Sequence, residues 1–242
     1  MLENAFIHIN GRKIEMPPTV KFKKEEIINA ALSVAGKKGI DAVTAREVAK
    51  ALKVSVGPIF TYYDSMDQLR CDVFEHAKNR YRKYIEQGLR EPIPFQGIWR
   101  QFLTFAKEEP ELYKLLFLTK PSNASGGAME ALALSQDMAR ESIMRIYKLD
   151  AHQADCYFRD IWVMALGFAT MIVTDECPFT MDEMLSIGAE VSLSVFKAYR
   201  EVPGMPGDNF DKDTLFIKLN ENTPTSQSGG MNRSTSAEGC PI

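Results

Sequence analysis

Between Thr44 and Tyr63 the chain reads TAREVAKALKVSVGPIFTYY, two helix-forming stretches separated by Lys53-Val54-Ser55. Helices of about eight residues are marginal in water without tertiary support, so this segment demands a fold that holds both. Val48, Ala49 and Leu52 of the first stretch, Val54 in the turn, and Ile59 and Tyr63 of the second can meet one core beneath Ile28, Leu32 and Ala35. Those three, with Ala31, belong to an upstream run with apolar residues at i, i+3, i+4 and i+7, stopped by Gly39. A three-residue turn suits two steeply crossing helices, a helix-turn-helix. Thr44 with Glu47 reads as a capping box for a helix over Ala45 to Leu52, Ser55 as the cap of a third helix, and Ser65 with Gln68 as a box opening a fourth. Pro58 falls third after Ser55, where a missing N–H costs nothing, and Gly57 tolerates the restriction that a following proline imposes. With Val56 these residues give the third helix a small N-terminus that can approach base edges in a major groove. The competing reading is that the small residues only ease helix packing.

Beyond Met66 the periodicity stays helical. The stretches run from Met66 to Leu89, from Phe95 towards Pro110, through ELYKLLFL, and then through three long segments starting near Ala128, His152 and Met181. About nine helices and no central strand predict an all-α protein: an N-terminal three-helix helix-turn-helix domain over residues 21–65, followed by a larger helical bundle over 66–200. Residues 1–20 read as a poorly ordered extension with a short strand in AFIHING, and the Pro, Gly, Ser and Asn content of 201–242 predicts a disordered tail.

The formal net charge of −3 hides an asymmetry: residues 21–65 carry eight Lys/Arg against five Asp/Glu, while 66–242 carry a net −6. Only the early segment favours phosphate electrostatically. Cys71, Cys156, Cys177 and Cys240 are scattered without a CxxC pair, which argues against a disulfide frame or a zinc site. No run of about eighteen apolar residues and no signal-peptide pattern is present, so a cytoplasmic location is expected. His8, His76 and His152 sit in no nucleophile or metal motif, and there is no phosphate-cradling loop or dinucleotide fingerprint. Neither an enzyme nor a metal or cofactor is expected.

The run IINAALSVAGKKGIDAVTAREVAKALKVSVGPIFTYYDSMDQL, within residues 24–69, resembles without gaps the N-terminal domain of the TetR/AcrR family of bacterial transcriptional regulators. The resemblance rests on the Ala-Ala-Leu helix, Gly39, Thr44-x-Arg46, Val48-Ala49, Val54-Ser55, Gly57, the aromatics Phe60, Tyr62 and Tyr63, and Ser65 before Leu69. It implies a homodimer whose helix Val56 to Tyr62 enters the major groove. Thr44 and Arg46 would touch the backbone or a base edge, Ser55, Val56, Gly57, Pro58 and Thr61 would face the DNA, and Tyr62 a phosphate. Many relatives have Lys where this chain has Val56 and Met66, and losing those charges shifts reliance to Arg46, to the cluster Lys21, Lys23 and Lys24, and to apolar contact of Val56 or Pro58 with thymine methyls. The resemblance also implies an effector cavity in the bundle. Phe102, Phe105, Tyr113, Phe117, Met138 and Trp162 are its candidate lining, equally suited to plain core, and the scarcity of charge among them suggests an apolar or aromatic effector.

The last two helices are the expected dimer surface. IWVMALGFATMIV is apolar nearly all round, with Ala165, Gly167, Phe168 and Ala169, and the next helix adds Ala189, Leu193 and Phe196. The expected function is a ligand-responsive repressor released from a palindromic operator by a small molecule. The alternative is a helical ligand- or partner-binding dimer whose DNA-reading head has weakened.

Overall fold

The apolar stripe of residues 27 to 35 forms helix α1, Lys24–Lys38, with Ile27, Ile28, Ala31, Val34 and Ala35 buried. Gly39 ends it at φ 81°, a conformation glycine adopts at little cost, and its N–H caps the Ala35 carbonyl at 2.9 Å. In this computed structural model, residues 6–9, 12–15, 23–120, 127–207, 211, 213 and 217 are described. After a short 3-10 turn, Ile40–Ala42, come α2, Ala45–Leu52, and α3, Gly57–Phe60. Val43, Val48, Ala49, Ile59 and Tyr63 are buried together with the α1 stripe, and Leu52 and Val54 pack against them. The two short helices are thus held by the shared core that the sequence pattern requires.

The body consists of α4 (Met66–Leu89), α5 (Pro94–Glu108), α6 (Pro110–Tyr113) running into a π-helical turn at Lys114–Leu118, α7 (Gly127–Tyr147), α8 (Ala151–Val173) and α9 (Met181–Glu201). Nine helices among the described residues bear out the all-α expectation. Outside them, Phe6–Ile9 and Arg12–Glu15 form an antiparallel hairpin, β1 and β2, with Ile7 opposite Ile14. Most of the segment read as a disordered tail lies outside the described residues.

The helices meet through specific contacts as well as apolar area. Near the C-terminus of α4, Gly88 lies against Gly97 of α5 so closely that a Cβ on Gly88 would stand 2.5 Å from the Gly97 carbonyl carbon. Tyr81 of α4 donates to Ser135 of α7 at 2.8 Å, and Ser135 donates to the Ala131 carbonyl at 2.8 Å. Arg140 of α7 makes a two-pronged contact with Asp155 of α8, at 2.7 and 3.2 Å. By length and composition α8 is apolar enough to cross a membrane, but Tyr157, Phe158, Ile161, Trp162, Ala165, Phe168 and Ala169 fill the core of the bundle.

The head joins the body through charge and packing. Lys24 of α1 pairs with Asp72 of α4 at 2.8 Å and lies over the Tyr63 ring, while the Tyr63 hydroxyl donates to Asp72 at 2.9 Å. Partial burial would raise the Asp72 carboxyl, but the hydrogen bonds from Lys24 and Tyr63 outweigh it and hold Asp72 below the usual carboxylate range. Leu112 of α6, fully buried, packs under Gly36 of α1.

Candidate nucleic-acid interface and effector region

The reading head presents one exposed turn. Thr44 caps α2, its Oγ1 accepting from the Glu47 N–H at 3.3 Å. The reciprocal half of the capping box is absent: the Glu47 carboxylate is drawn nine residues upstream to Lys38, at 2.5 Å, which also lowers its pKa. Ser65 likewise caps α4 through the Gln68 N–H, while the Gln68 side chain accepts from the Asp64 N–H instead. Ser55 makes no cap. The helix starts at Gly57 with Val56 as the flanking residue and Pro58 in its first turn, and it ends at Phe60, two residues before the expected Tyr62. The reason lies in the hydrogen bonds: Tyr62 N–H and Tyr63 N–H both turn back to the Ile59 carbonyl at 3.1 Å, closing the chain into a tight turn that buries Tyr63.

This arrangement buries Ile59 and leaves Ser55, Val56, Gly57, Phe60, Thr61 and Tyr62 exposed on one short turn, with Pro58 half-buried. Thr44 and Arg46 are exposed beside it on the first turn of α2. Among the described residues Arg46, Lys50 and Lys53 make no ion pair within 4.0 Å, whereas Lys24 is held by Asp72 and Lys38 by Glu47. Lys23 is exposed, and its N–H donates to Glu26 at the start of α1. Of the three lysines expected near phosphate, Lys21 lies outside the described residues and Lys24 is committed to the head-body junction.

Lys53 ends α2 in the left-handed region, at φ 59° and ψ 42°, its N–H reaching the Ala49 and Lys50 carbonyls. A side chain there costs about 1 kcal/mol relative to glycine, partly offset by glycine's larger entropy loss on folding. Lys53→Gly is expected to raise stability by about 0.5 kcal/mol, read as a small upward shift of the thermal melting midpoint.

In the bundle, the expected cavity lining forms a packed aromatic cluster. Tyr113 and Phe117 rings lie 4.8 Å apart, Phe102 and Phe117 5.2 Å, and Phe117 and Trp162 6.1 Å, with Tyr81 inserted against Phe105 and Phe117 at 5.2 Å. Met138 is half-buried and packs against the hydrophobic core. The Tyr113 hydroxyl donates to the Leu166 carbonyl at 3.2 Å, and burial pushes its pKa up to about 12. The void beside this cluster is only about 20 Å³, room for about one water. Phe102 and Trp162 line it, while Phe105, Tyr113, Phe117 and Met138 do not. Tyr81, Phe95, Ile98, Trp99 and Phe158 also line the void, beyond the residues expected from the sequence. The run Phe95, Ile98, Trp99, Phe102 on one face of α5 carries that signal.

A family model of bacterial regulatory proteins, tetR family, matches residues 27–71, the segment that builds this head. Residues 27–71 thus carry the N-terminal domain of that family. No curated protein matches it by sequence. Solved structures with a similar fold align along most of their length. A TetR-like transcriptional regulator of Rhodococcus sp. RHA1 is 14% identical over 74% of this chain and 96% of its own, with a TM-score of 0.53. The fatty acid degradation regulator FadR of Bacillus halodurans is 17% identical over 71% and 98%, at 0.54. A TetR variant of Acinetobacter baumannii AYE in complex with minocycline is 16% identical over 74% and 97%, at 0.50.

The last two helices of the chain distribute their apolar residues differently from the sequence expectation. Ala165, Phe168 and Ala169 are buried in the chain's own core, Phe168 against Trp99 and Phe179. Ala189 faces a groove beside α5, and Phe196 packs on Tyr147 at 5.1 Å. Of the expected dimer residues only Leu193 points outward, 66% exposed. The outward apolar residues of α8 and α9 are Val163, Val191 and Leu193, with Gly167 exposed and, among the described residues, nothing within 4 Å of where its Cβ would stand. A helix apolar all round carries no phase in its sequence, which is why the outward face of α8 is not legible there.

Proposed function

We propose that this chain is a homodimeric repressor that grips a palindromic operator through the turn from Ser55 to Tyr62 and releases it when a small molecule binds the helical bundle. The observation that carries the reading is the exposed turn itself: small residues with apolar and aromatic side chains facing solvent, beside an Arg46 that forms no ion pair with the described residues. Small residues allow close approach to base edges, Arg46 supplies a base or phosphate contact, and Val56 and Pro58 supply contacts for thymine methyls. One such turn touches too few bases for useful selectivity, and a second copy doubles the site. The outward Val163, Gly167, Val191 and Leu193 support pairing through α8 and α9.

Helix α4 is the natural lever between effector and DNA. Asp72 ties it to α1, and Tyr81, nine residues or about 13 Å further on, sits inside the aromatic cluster. An effector that favours one tilt of α4 over another changes operator affinity by its differential binding energy, typically about 1–3 kcal/mol. The minocycline held by one structural neighbour is consistent with an effector of this kind.

The test is fluorescence anisotropy with duplexes from the DNA flanking the coding region, at two salt concentrations, against a scrambled duplex. Selective binding that weakens about tenfold in Arg46→Ala, as the loss of one base or phosphate contact predicts, supports the reading. Binding no better than to the scrambled duplex, with no motif emerging from a genome-wide DNA selection, would favour a helical ligand- or partner-binding dimer whose head no longer reads DNA.

A further inference from the structure

Between the end of α8 and the start of α9 the chain gathers sulfur. Cys177, in the connecting segment, has its Sγ 3.7 Å from the Met184 Sδ of α9 and 3.7 Å from the Phe179 carbonyl oxygen. Met181 lies one helical turn before Met184, on the same face of α9, and lines the same groove as both, a space of about 620 Å³. Met184 is 3% exposed, while Cys177 is partly exposed and gives the groove's sulfurs a side open to solvent.

A protonated thiol makes only weak hydrogen bonds to such partners. Two sulfurs that share one metal ion, each at about 2.3 Å, stand about 3.8–4.0 Å apart at tetrahedral or trigonal angles, so Cys177 and Met184 need almost no rearrangement to grip one. A thiolate with thioethers is a soft donor set, which selects Cu(I) over the harder divalent ions. Among the described residues no group of three His, Cys, Asp or Glu side chains is placed to hold a metal, so divalent ions find no matching set here. The charges lining the groove agree: Lys107 and Lys114 are matched by Glu111 and Asp175. A monovalent cation that displaces the thiol proton leaves that balance unchanged, whereas a divalent ion would add a charge. A search for paired Cys and His spacings overlooks such a set, because two of its three donors are thioethers.

We propose that this groove binds one Cu(I) ion through the Cys177 thiolate and the Met184 thioether, with Met181 as the third donor. The Cys177 S–H bond gives way to an S–Cu bond, the proton leaves to solvent, and the copper keeps its oxidation state. Pro110 and Glu111 of α6 also line the groove, and Leu112 beside them packs under Gly36 of α1, so the ion sits close to where the body meets the head. Binding is read without DNA and stands apart from the regulator reading.

The test is anaerobic titration of the reduced full chain with one equivalent of Cu(I) in competition with a chromogenic Cu(I) chelator, which reads the tightest site. Cys177→Ser is expected to weaken that site at least 100-fold, Met184→Leu about tenfold and Met181→Leu several-fold, whereas Cys71→Ser leaves it unchanged. Leucine keeps the volume of methionine and removes only the sulfur, and melting midpoints show that each variant folds. X-ray absorption at the copper edge of the wild-type protein is expected to show a first shell of two or three sulfurs, a readout that needs no variant. Affinity unchanged in Cys177→Ser, wild-type affinity in Met184→Leu, or a first shell of nitrogen and oxygen would each overturn the proposal, the second by reducing the site to a single thiol. Operator binding measured on metal-free protein is unaffected by any of these outcomes, so failure here and failure of the regulator reading are told apart.

Discussion

Gly88→Ala is expected to cost about 3 kcal/mol or more, the upper end of what an extra methyl in a packed core costs. Spread over a chain of this length, that loss lowers the melting midpoint by roughly 6–12 °C. The obstacle is backbone: the added Cβ would meet the Gly97 carbonyl carbon and the Ile98 nitrogen, both at 2.5 Å, and the Ile98 Cα at 2.6 Å. A flexible side chain could swing away from a methyl, but two helix backbones can separate only by moving α4 from α5 along the contact that anchors the bundle. Gly97→Ala meets the same barrier from the other side, its Cβ standing closest to the Gly88 carbonyl oxygen. The two changes share one strain, so the double variant is expected to lose less than the sum of the single losses. Gly167→Ala is the control. It lies exposed on α8 with none of the described residues within 4 Å of the new methyl, so within a single copy it should gain up to about 1 kcal/mol from helix propensity, and a loss instead would place Gly167 against a second copy. Urea or thermal melts of the three variants decide the matter, and a Gly88→Ala protein as stable as the wild type would mean that α4 and α5 do not touch here.

The same glycine shows where sequence reasoning succeeds and where it stops. Gly88 reads as punctuation near the end of a helix, and α4 does end at Leu89, but its close approach to Gly97 depends on a residue nine positions away across a turn. The boundaries of α2 and α4 are legible because Thr44 and Ser65 are local signals, each capping the residue three places on. The second half of each capping box fails because Lys38 and the Asp64 N–H, outside the motif, compete for Glu47 and Gln68. The aromatic cluster is legible as apolar and helical, yet which rings line its void is set by the relative rotation of α4, α5 and α8. Lys24 is the clearest case at the candidate DNA interface. Its charge reads as available for phosphate, and only the fold reveals that Asp72, 48 positions on, has taken it.

Val56 is where the reading head can be tested most sharply, since its side chain is 40% exposed and its neighbours Ser55 and Gly57 are exposed with it. Of the basic residues near the turn, Lys24 and Lys38 are spent on Asp72 and Glu47, so the head presents few cations to DNA for a protein that must hold it. Val56→Lys adds one at the turn itself. If that lysine meets a phosphate, affinity should rise several-fold at low salt, and the slope of log K against log salt should steepen by about 0.9, the release of one further counterion. Val56→Glu places a negative charge at the same spot and is expected to lower affinity about 100-fold at low salt, through repulsion from the phosphates and loss of any thymine-methyl contact. Neither change touches the buried Ile59 or Tyr63, so the melting midpoint should stay within about a degree, as for most exposed substitutions. The pair is diagnostic because the two charges act in opposite directions on one quantity while leaving the fold alone. Unchanged affinity in both variants would move the DNA-contacting surface away from this turn, and with it the role assigned to Pro58, Thr61 and Tyr62.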